Sequence, residues 1–415
     1  MSAPAPLMSP TKTSVVGALL VALGPISLAL YTPAMPTLVR VFDTDVSAVK
    51  LTLTVYFLGF AFAQLVCGPL SDVFGRRPVV MAFTAFYLVG SLMAVFAPGI
   101  EWLLAARIVQ GVGAAAGTAI SRAIVRDLYV GRQSVQVMNM IGLMLMAAPA
   151  LAPTLGGLTL ESVGWHAIFA LMAVYGIVIM AAFRFAVPET LSPSGSPTLR
   201  PRRLLGSYAT LIRDVRFLRP SIVMACSVGS LFTLATVLPF VMIDEAGLTP
   251  VEFGFSMLAH SGSFMLGSLV MRQLLMSIDA HRLVPIGLGL IALGALALPV
   301  SLALFEPRFL SVMGPTALLA FGIPFVMPSM MTESLAPFPH MAGAASALSG
   351  FLQMAAGLLG SAAAAAIGDA VFALVTIIPA LALSAALTHL MLQRFAPLME
   401  DAAAERVVSP QAPAE

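Results

Sequence analysis

Three groups of residues in this chain could do chemistry, and each sits in apolar surroundings. Arg107 and Gln110 lie three residues apart in Arg107-Ile108-Val109-Gln110-Gly111-Val112-Gly113-Ala114-Ala115-Ala116-Gly117. At helical spacing the guanidinium and the amide occupy neighbouring faces and can share one polar site. Arg107 follows Glu101 by six residues, about 9 Å of helix, so its charge falls well inside an apolar run. An ionisable group there is a functional hypothesis by default. The competing reading is an arginine whose long stem lets its head snorkel out to a surface. His260, also inside an apolar run, titrates near neutral pH and could carry a proton, or could simply be a hydrogen-bonded packing residue. The third group is the string Gly68-Pro69-Leu70-Ser71-Asp72-Val73-Phe74-Gly75-Arg76-Arg77-Pro78-Val79. It sets a carboxylate (Asp72), a glycine free to take positive φ (Gly75) and two cations into one tight turn.

The elements that must position these groups follow from composition. Of 415 residues, 59% are hydrophobic and only 10% charged. Soluble globular domains carry about 25% charged residues. That rules out a soluble enzyme, a disordered chain and a nucleic-acid-coating protein. A bilayer-spanning helix needs about 20 mostly apolar residues. Eleven uncharged windows meet that requirement, and Trp102–Val125 must be a twelfth if the chain is to alternate sides, despite Arg107 and Arg122 within it. The first window is too long for a signal-peptide core and is expected to be a retained span. The reading is an all-α integral membrane protein of twelve transmembrane helices.

The run Ser192-Pro193-Ser194-Gly195-Ser196-Pro197, followed by Arg200, Arg202 and Arg203, divides the chain into six spans plus six. The expected organisation is a tail over 1–12, a six-helix bundle over 13–187, a cytoplasmic linker over 188–219, a second bundle over 220–394 and a tail over 395–415. With the N-terminus placed in the cytoplasm, sixteen of the 21 basic residues fall on that side. Only Arg40, Lys50 and Arg308 fall outside. The positive-inside rule therefore puts both termini in the cytoplasm. Two parallel halves with a site between them suggest a secondary transporter. Cys67 and Cys226 are the only cysteines, which disfavours a disulfide framework or cysteine metal site. No metal cluster, nucleophile motif, Gly-x-x-x-x-Gly-Lys loop or haem ligand pair is present, so no enzyme activity, cofactor or ATP drive is expected.

The Gly68–Val79 string matches the signature loop of the major facilitator superfamily, whose fold is two six-helix bundles. By that resemblance Asp72, Gly75, Arg76 and Asp127 form a conformational gate: the aspartate faces Met341-Ala342-Gly343 at the start of the eleventh span, and the arginine meets Asp127. Arg-x-x-Gln-Gly at Arg107 resembles a second motif of the superfamily, in which the arginine is implicated in proton coupling. The fifth span, with Pro149, Pro153, Gly156 and Gly157, resembles the motif of proton-coupled exporters, although Ala148 and Ala152 stand where glycine is usual. Its prolines are expected to kink it.

A narrower resemblance is carried by Tyr31-Thr32-Pro33-Ala34-Met35-Pro36, Arg126-Asp127-Leu128-Tyr129, Gly164-Trp165-His166-Ala167-Ile168-Phe169, Pro188-Glu189-Thr190 and Phe338-Pro339-His340-Met341-Ala342-Gly343. Together they are similar to the Bcr/CflA drug-resistance family across Thr13 to Arg394. The family exports drugs across the bacterial inner membrane in exchange for protons, usually as monomers. The first span lines the cavity throughout the superfamily, which implies that Ser27 and Tyr31 meet cargo there, with Arg107 and Gln110 as its polar site; Arg107, Asp127 and His260 are the candidates for coupling. Ala29 stands where members often carry an acid, and no Asp or Glu maps to mid-membrane. The expected cargo is therefore neutral, zwitterionic or weakly anionic. The alternative is an importer or facilitator of a small metabolite on the same fold.

Overall fold

A computed structural model describes residues 7–129, 131–191 and 201–392. Eleven helices in it are long and apolar enough to cross a bilayer, and Gly131–Ser162, a helix of 32 residues, makes the twelfth. The first half comprises α1 (Pro10–Val41), α2 (Val46–Phe74), α3 (Arg76–Val95), α4 (Ile100–Leu128), α5 (Gly131–Ser162) and α6 (Trp165–Ala186). The second comprises α7 (Val215–Glu245), α8 (Pro250–Leu274), α9 (Ala280–Leu304), α10 (Phe309–Leu335), α11 (Pro339–Ile367) and α12 (Ala370–Leu392). No strand occurs among the described residues.

Local chemistry fixes the ends. Ser9 caps α1 by accepting from the Lys12 amide, and Asp45 caps α2 by accepting from the Ala48 amide at 2.6 Å. Thr249 and Glu252 form a reciprocal capping box ahead of α8. Asp369 accepts from the Phe372 amide at 2.7 Å at the start of α12. Each satisfies an amide that the helix itself cannot, where the chain leaves apolar surroundings. α5 runs as one continuous helix from Gly131 to Ser162 through Pro153; the side chain of Pro149 lies outside the described residues.

The expected linker is not plain connection. Within it a helix, Pro201–Arg213, lies against both halves. Its Tyr208 hydroxyl donates to the Leu65 carbonyl of α2 at 2.7 Å, and its Leu211 is buried in a cluster with Phe217, Phe338, Ala345 and Leu348 of the second half. The Ser/Pro run itself, at 192–200, and the 395–415 tail lie outside the described residues.

Most buried apolar side chains fall into two clusters, one in each half. The halves meet along α2 with α11 and α5 with α8. Down the first seam the chains run antiparallel: Lys50 pairs with Ala364 and Gly368, Phe62 stacks edge-on against Phe351 at 5.6 Å, and Gln64 packs on Gly350. In the second seam Gly157 faces the Pro250 backbone so closely that a Cβ could not be accommodated, and Glu161 accepts from the Val251 amide at 3.2 Å. These contacts seal one end of the molecule, the Lys50 end. Lys50 is fully buried, and its Nζ donates to the carbonyls of Ala364 (3.3 Å) and Gly368 (2.6 Å), the open C-terminus of α11. A cation suits a helix C-terminus, whose carbonyls lack partners and whose dipole is negative there.

Lys50→Gln should weaken this seal, since losing a charge-assisted bond to buried carbonyls costs about 1.5–3 kcal/mol. In a background lacking Cys67 and Cys226, a cysteine at Ser47 should then react with a membrane-impermeant maleimide several-fold faster than in the Lys50 parent. Unchanged labelling would show that the seal does not depend on this ammonium.

Candidate functional site

Arg107 projects from α4 into the middle of the first half and is fully buried, so it does not snorkel. Its guanidinium lies between two tyrosine rings, 4.6 Å from the Tyr31 centroid and 4.4 Å from that of Tyr56. Nη1 donates to Gln110 Oε1 and to the Ser27 carbonyl at 3.5 Å. Around it, Gln110 Nε2 donates to Ser91 Oγ at 2.8 Å, Ser27 Oγ meets the Tyr87 hydroxyl at 2.6 Å, and the Tyr31 hydroxyl meets Thr52 at 2.7 Å. The sequence thus places Ser27, Tyr31, Arg107 and Gln110 together, as expected. Yet Nε and Nη2 of Arg107 have no hydrogen-bond partner, and among the described residues no carboxylate pairs with it. Two aromatic faces attract the cation, but they do not replace the water it has lost.

A cavity of about 1210 Å³ lies between the halves at the other end. Its walls come from α2 (Gln64, Asp72), α4 (Arg122, Arg126), α5 (Ser134, Met138), α11 (Ser346, Ala347) and the Pro201–Arg213 helix (Leu204, Ser207). The expectation that Ser27, Tyr31, Arg107 and Gln110 line the cavity does not describe this conformation. All four are buried behind its wall: the Ser27 hydroxyl meets Tyr87, the Tyr31 hydroxyl meets Thr52, and Gln110 bonds Ser91 and Arg107, all within the first half. His260 stands on α8, half-buried, with Nδ1 enclosed and unpartnered; it neither lines this cavity nor contacts Arg107 or Asp127.

At the cavity mouth Arg76 organises the loop between α2 and α3. Its side chain pairs with Asp72, donates from Nε to Asp127 Oδ2 at 2.8 Å and reaches Ser71 Oγ at 2.8 Å. Asp72 and Met341-Ala342-Gly343 face the same cavity. Gly75 holds φ at +97°, where a side chain is strained, and a Cβ there would come within 2.6 Å of Glu189 Oε2. Glu189 is the residue that sequence reasoning missed. Its carboxylate accepts from the backbone amides of Arg76 (2.9 Å) and Arg77 (3.0 Å), the bare N-terminus of α3, and from those of Thr190 and Leu191. The Pro188-Glu189-Thr190 string marked the place without revealing this role. The second half repeats the theme: Arg219 of α7 pairs with Glu333 near the end of α10, just as Arg76 pairs with Asp127 near the end of α4.

Residues 17–361 match the family model of the Major Facilitator Superfamily. The chain belongs to that superfamily. Twelve apolar helices in two six-helix bundles accord with it. The chain is 28% identical over 340 residues to a bicyclomycin resistance protein homolog of Haemophilus influenzae, covering 81% of this chain and 84% of that protein. It is 29% identical over 331 residues to a chloramphenicol resistance protein of Pseudomonas aeruginosa, covering 79% and 77% respectively. Among solved structures, the xylose transporter XylE of E. coli, in a partially occluded inward open conformation, superposes with a TM-score of 0.72 at 14% identity over 94% of this chain and 98% of that one. The last likeness speaks for the fold alone. The protein is a multi-pass membrane transporter.

Two outcomes follow for this transporter. Arg107→Met removes a buried cation that has no counter-ion, so the melting temperature in detergent should hold or rise while transport falls at least about tenfold. A protein that melts lower but transports normally would make Arg107 a structural residue. Glu189→Ala should cost about 1–2 kcal/mol by exposing the α3 amides, read as a lower melting temperature, with Glu189→Gln losing less.

Proposed function

We propose that this transporter exports small amphipathic drugs across a bacterial inner membrane in exchange for protons, working as a monomer by alternating access. Both termini and the Arg76 end face the cytoplasm in this reading, as the positive-inside rule implies. The observation that carries it is the placement of the cavity: it lies at the basic end, and the opposite end is sealed by Lys50, Gly157 and Glu161. An exporter loading cargo from the cytoplasm would rest in such a state. Relatives named for bicyclomycin and chloramphenicol resistance support the drug cargo, and the α5 string Pro149, Pro153, Gly156 and Gly157 supports antiport through its resemblance to the motif of proton-coupled exporters. Pro153 and Thr154 pack on Gly254, and Gly157 packs on Pro250, so the string forms part of the seal that must open to release cargo outside.

Asp72, Gly75, Arg76 and Asp127 act as the gate in this scheme. Protonating Asp127 would remove the negative charge that Arg76 Nε meets at 2.8 Å. The mouth would then rearrange as the proton arrives, which makes Asp127 the preferred coupling residue over Arg107 and His260. Ser27, Tyr31, Arg107 and Gln110 would meet cargo only in another state of the cycle.

The test is transport in proteoliposomes with an imposed pH gradient, using a neutral drug beside a cationic dye. Uphill movement of the neutral drug against proton flow, with the dye ignored and Asp127→Asn inactive, is expected. Equilibration that ignores the gradient would instead indicate a facilitator and overturn antiport.

A further inference from the structure

The cavity holds one deep cation with no assigned task. Arg122 lies six residues before the end of α4, about 9 Å of helix from the mouth, and faces the cavity with Gln64 and Ser346. It makes no ion pair among the described residues. Its Nε donates to the Thr118 carbonyl at 3.1 Å, and Nη1 reaches across the gap between the halves to Ser346 Oγ at 3.3 Å. Neither partner carries a charge. Gln64 donates to the Thr118 hydroxyl at 3.3 Å, while its own Oε1 is buried and unpartnered. Elsewhere in the lining, Arg76 is neutralised by Asp72 and Asp127, and Asp72 is the only acid among the lining residues. Arg126, nearer the mouth, also has no ion pair among the described residues. At the mouth the two cations Arg76 and Arg126 face the two carboxylates Asp72 and Asp127, so the uncompensated charge of this cavity is the deep Arg122 guanidinium.

We propose that Arg122 is the residue that selects cargo, and that the favoured cargo is an amphipathic molecule bearing a carboxylate. Its oxyanion sits on the Arg122 guanidinium, and its apolar body lies against Met138, Ala119 and Ala347. A guanidinium offers a planar fork that matches a carboxylate. In a cavity with low-dielectric walls, an uncompensated deep cation raises the local concentration of anions. An incoming carboxylate exchanges the neutral Ser346 contact for a charged one and supplies the counter-ion that the fold omits. Arg122 thus assumes the part that sequence reasoning gave to Arg107. The inference rests on the transporter reading above but names its substrate class and does not need proton coupling.

The experiment is equilibrium dialysis of the purified full-length protein in detergent at pH 7 with 1-naphthoate and its uncharged isostere 1-naphthamide. Wild-type protein should bind the acid at least about tenfold more tightly than the amide, the order expected for one charge-assisted contact. Arg122→Gln should lose that margin while leaving amide binding within about twofold, and Arg122→Lys should lie between, since lysine keeps the charge without the fork. Equal or weaker binding of the acid by wild type overturns the proposal without any variant, as does a wild type that binds neither. Equal loss of both ligands in Arg122→Gln overturns it too, because that pattern marks a merely structural arginine. If acid preference depends on Arg122 but no pH gradient drives movement in proteoliposomes, the exporter reading falls and this one stands.

Discussion

Taking a charge out of water is costly, and how the fold meets that cost orders the rest of the structure. With 59% hydrophobic residues and 10% charged, the chain has few charges to place. Arg107 is held between two tyrosine rings without a counter-ion among the described residues, while three other buried cations join elements. Arg76 ties α2, α3 and α4 at the mouth; Arg219 ties α7 to α10; Lys50 ties α2 to the C-terminus of α11. Of the three, only Lys50 joins the two halves, so it is the contact that must break if the cavity is to face the other way.

The seams between the halves obey a complementary rule. Lipid tails are as apolar as leucine, so helices in a bilayer gain little by merely burying apolar surface, and close packing takes over. Gly157 against the Pro250 backbone, Gly254 against Thr154 and Gly350 against the Gln64 amide let backbones approach where side chains would hold them apart. A seam made of close fit without many hydrogen bonds can part without stranding polar groups. That distinguishes the α5–α8 seam from the salt-linked mouth and gives the two ends different mechanical characters.

The spans were legible because bilayer thickness imposes a length and composition on each helix, and the loop around Gly75 was legible because its residues are close together in the chain. Arg107 with Gln110 could likewise be read from a spacing of three. What the sequence hid was everything joined over long separations. Glu189 reaches the α3 amides across more than a hundred residues, and nothing local marks a glutamate as a helix cap for a distant element. Lys50 reads as one of three basic residues on the sparse side; its role at Gly368 needs the whole fold. Arg122 was visible as a charge within a span, and the rule that singled out Arg107 applies to it equally. The two differ only in which way they face, and facing is a tertiary property: Arg107 turns into its own bundle and Arg122 toward the other.

The Pro201–Arg213 helix has a consequence beyond joining the halves. With Tyr208 held to the Leu65 carbonyl, Leu211 buried beside Phe338, and Leu204 and Ser207 in the cavity wall, the connection passes beneath the opening as a strap. It limits the bore through which a molecule can approach from that side, and it travels with whichever half retains its grip. The outermost filter on what is admitted is thus built from the tether, so two transporters with identical membrane helices could differ in appetite through this segment alone.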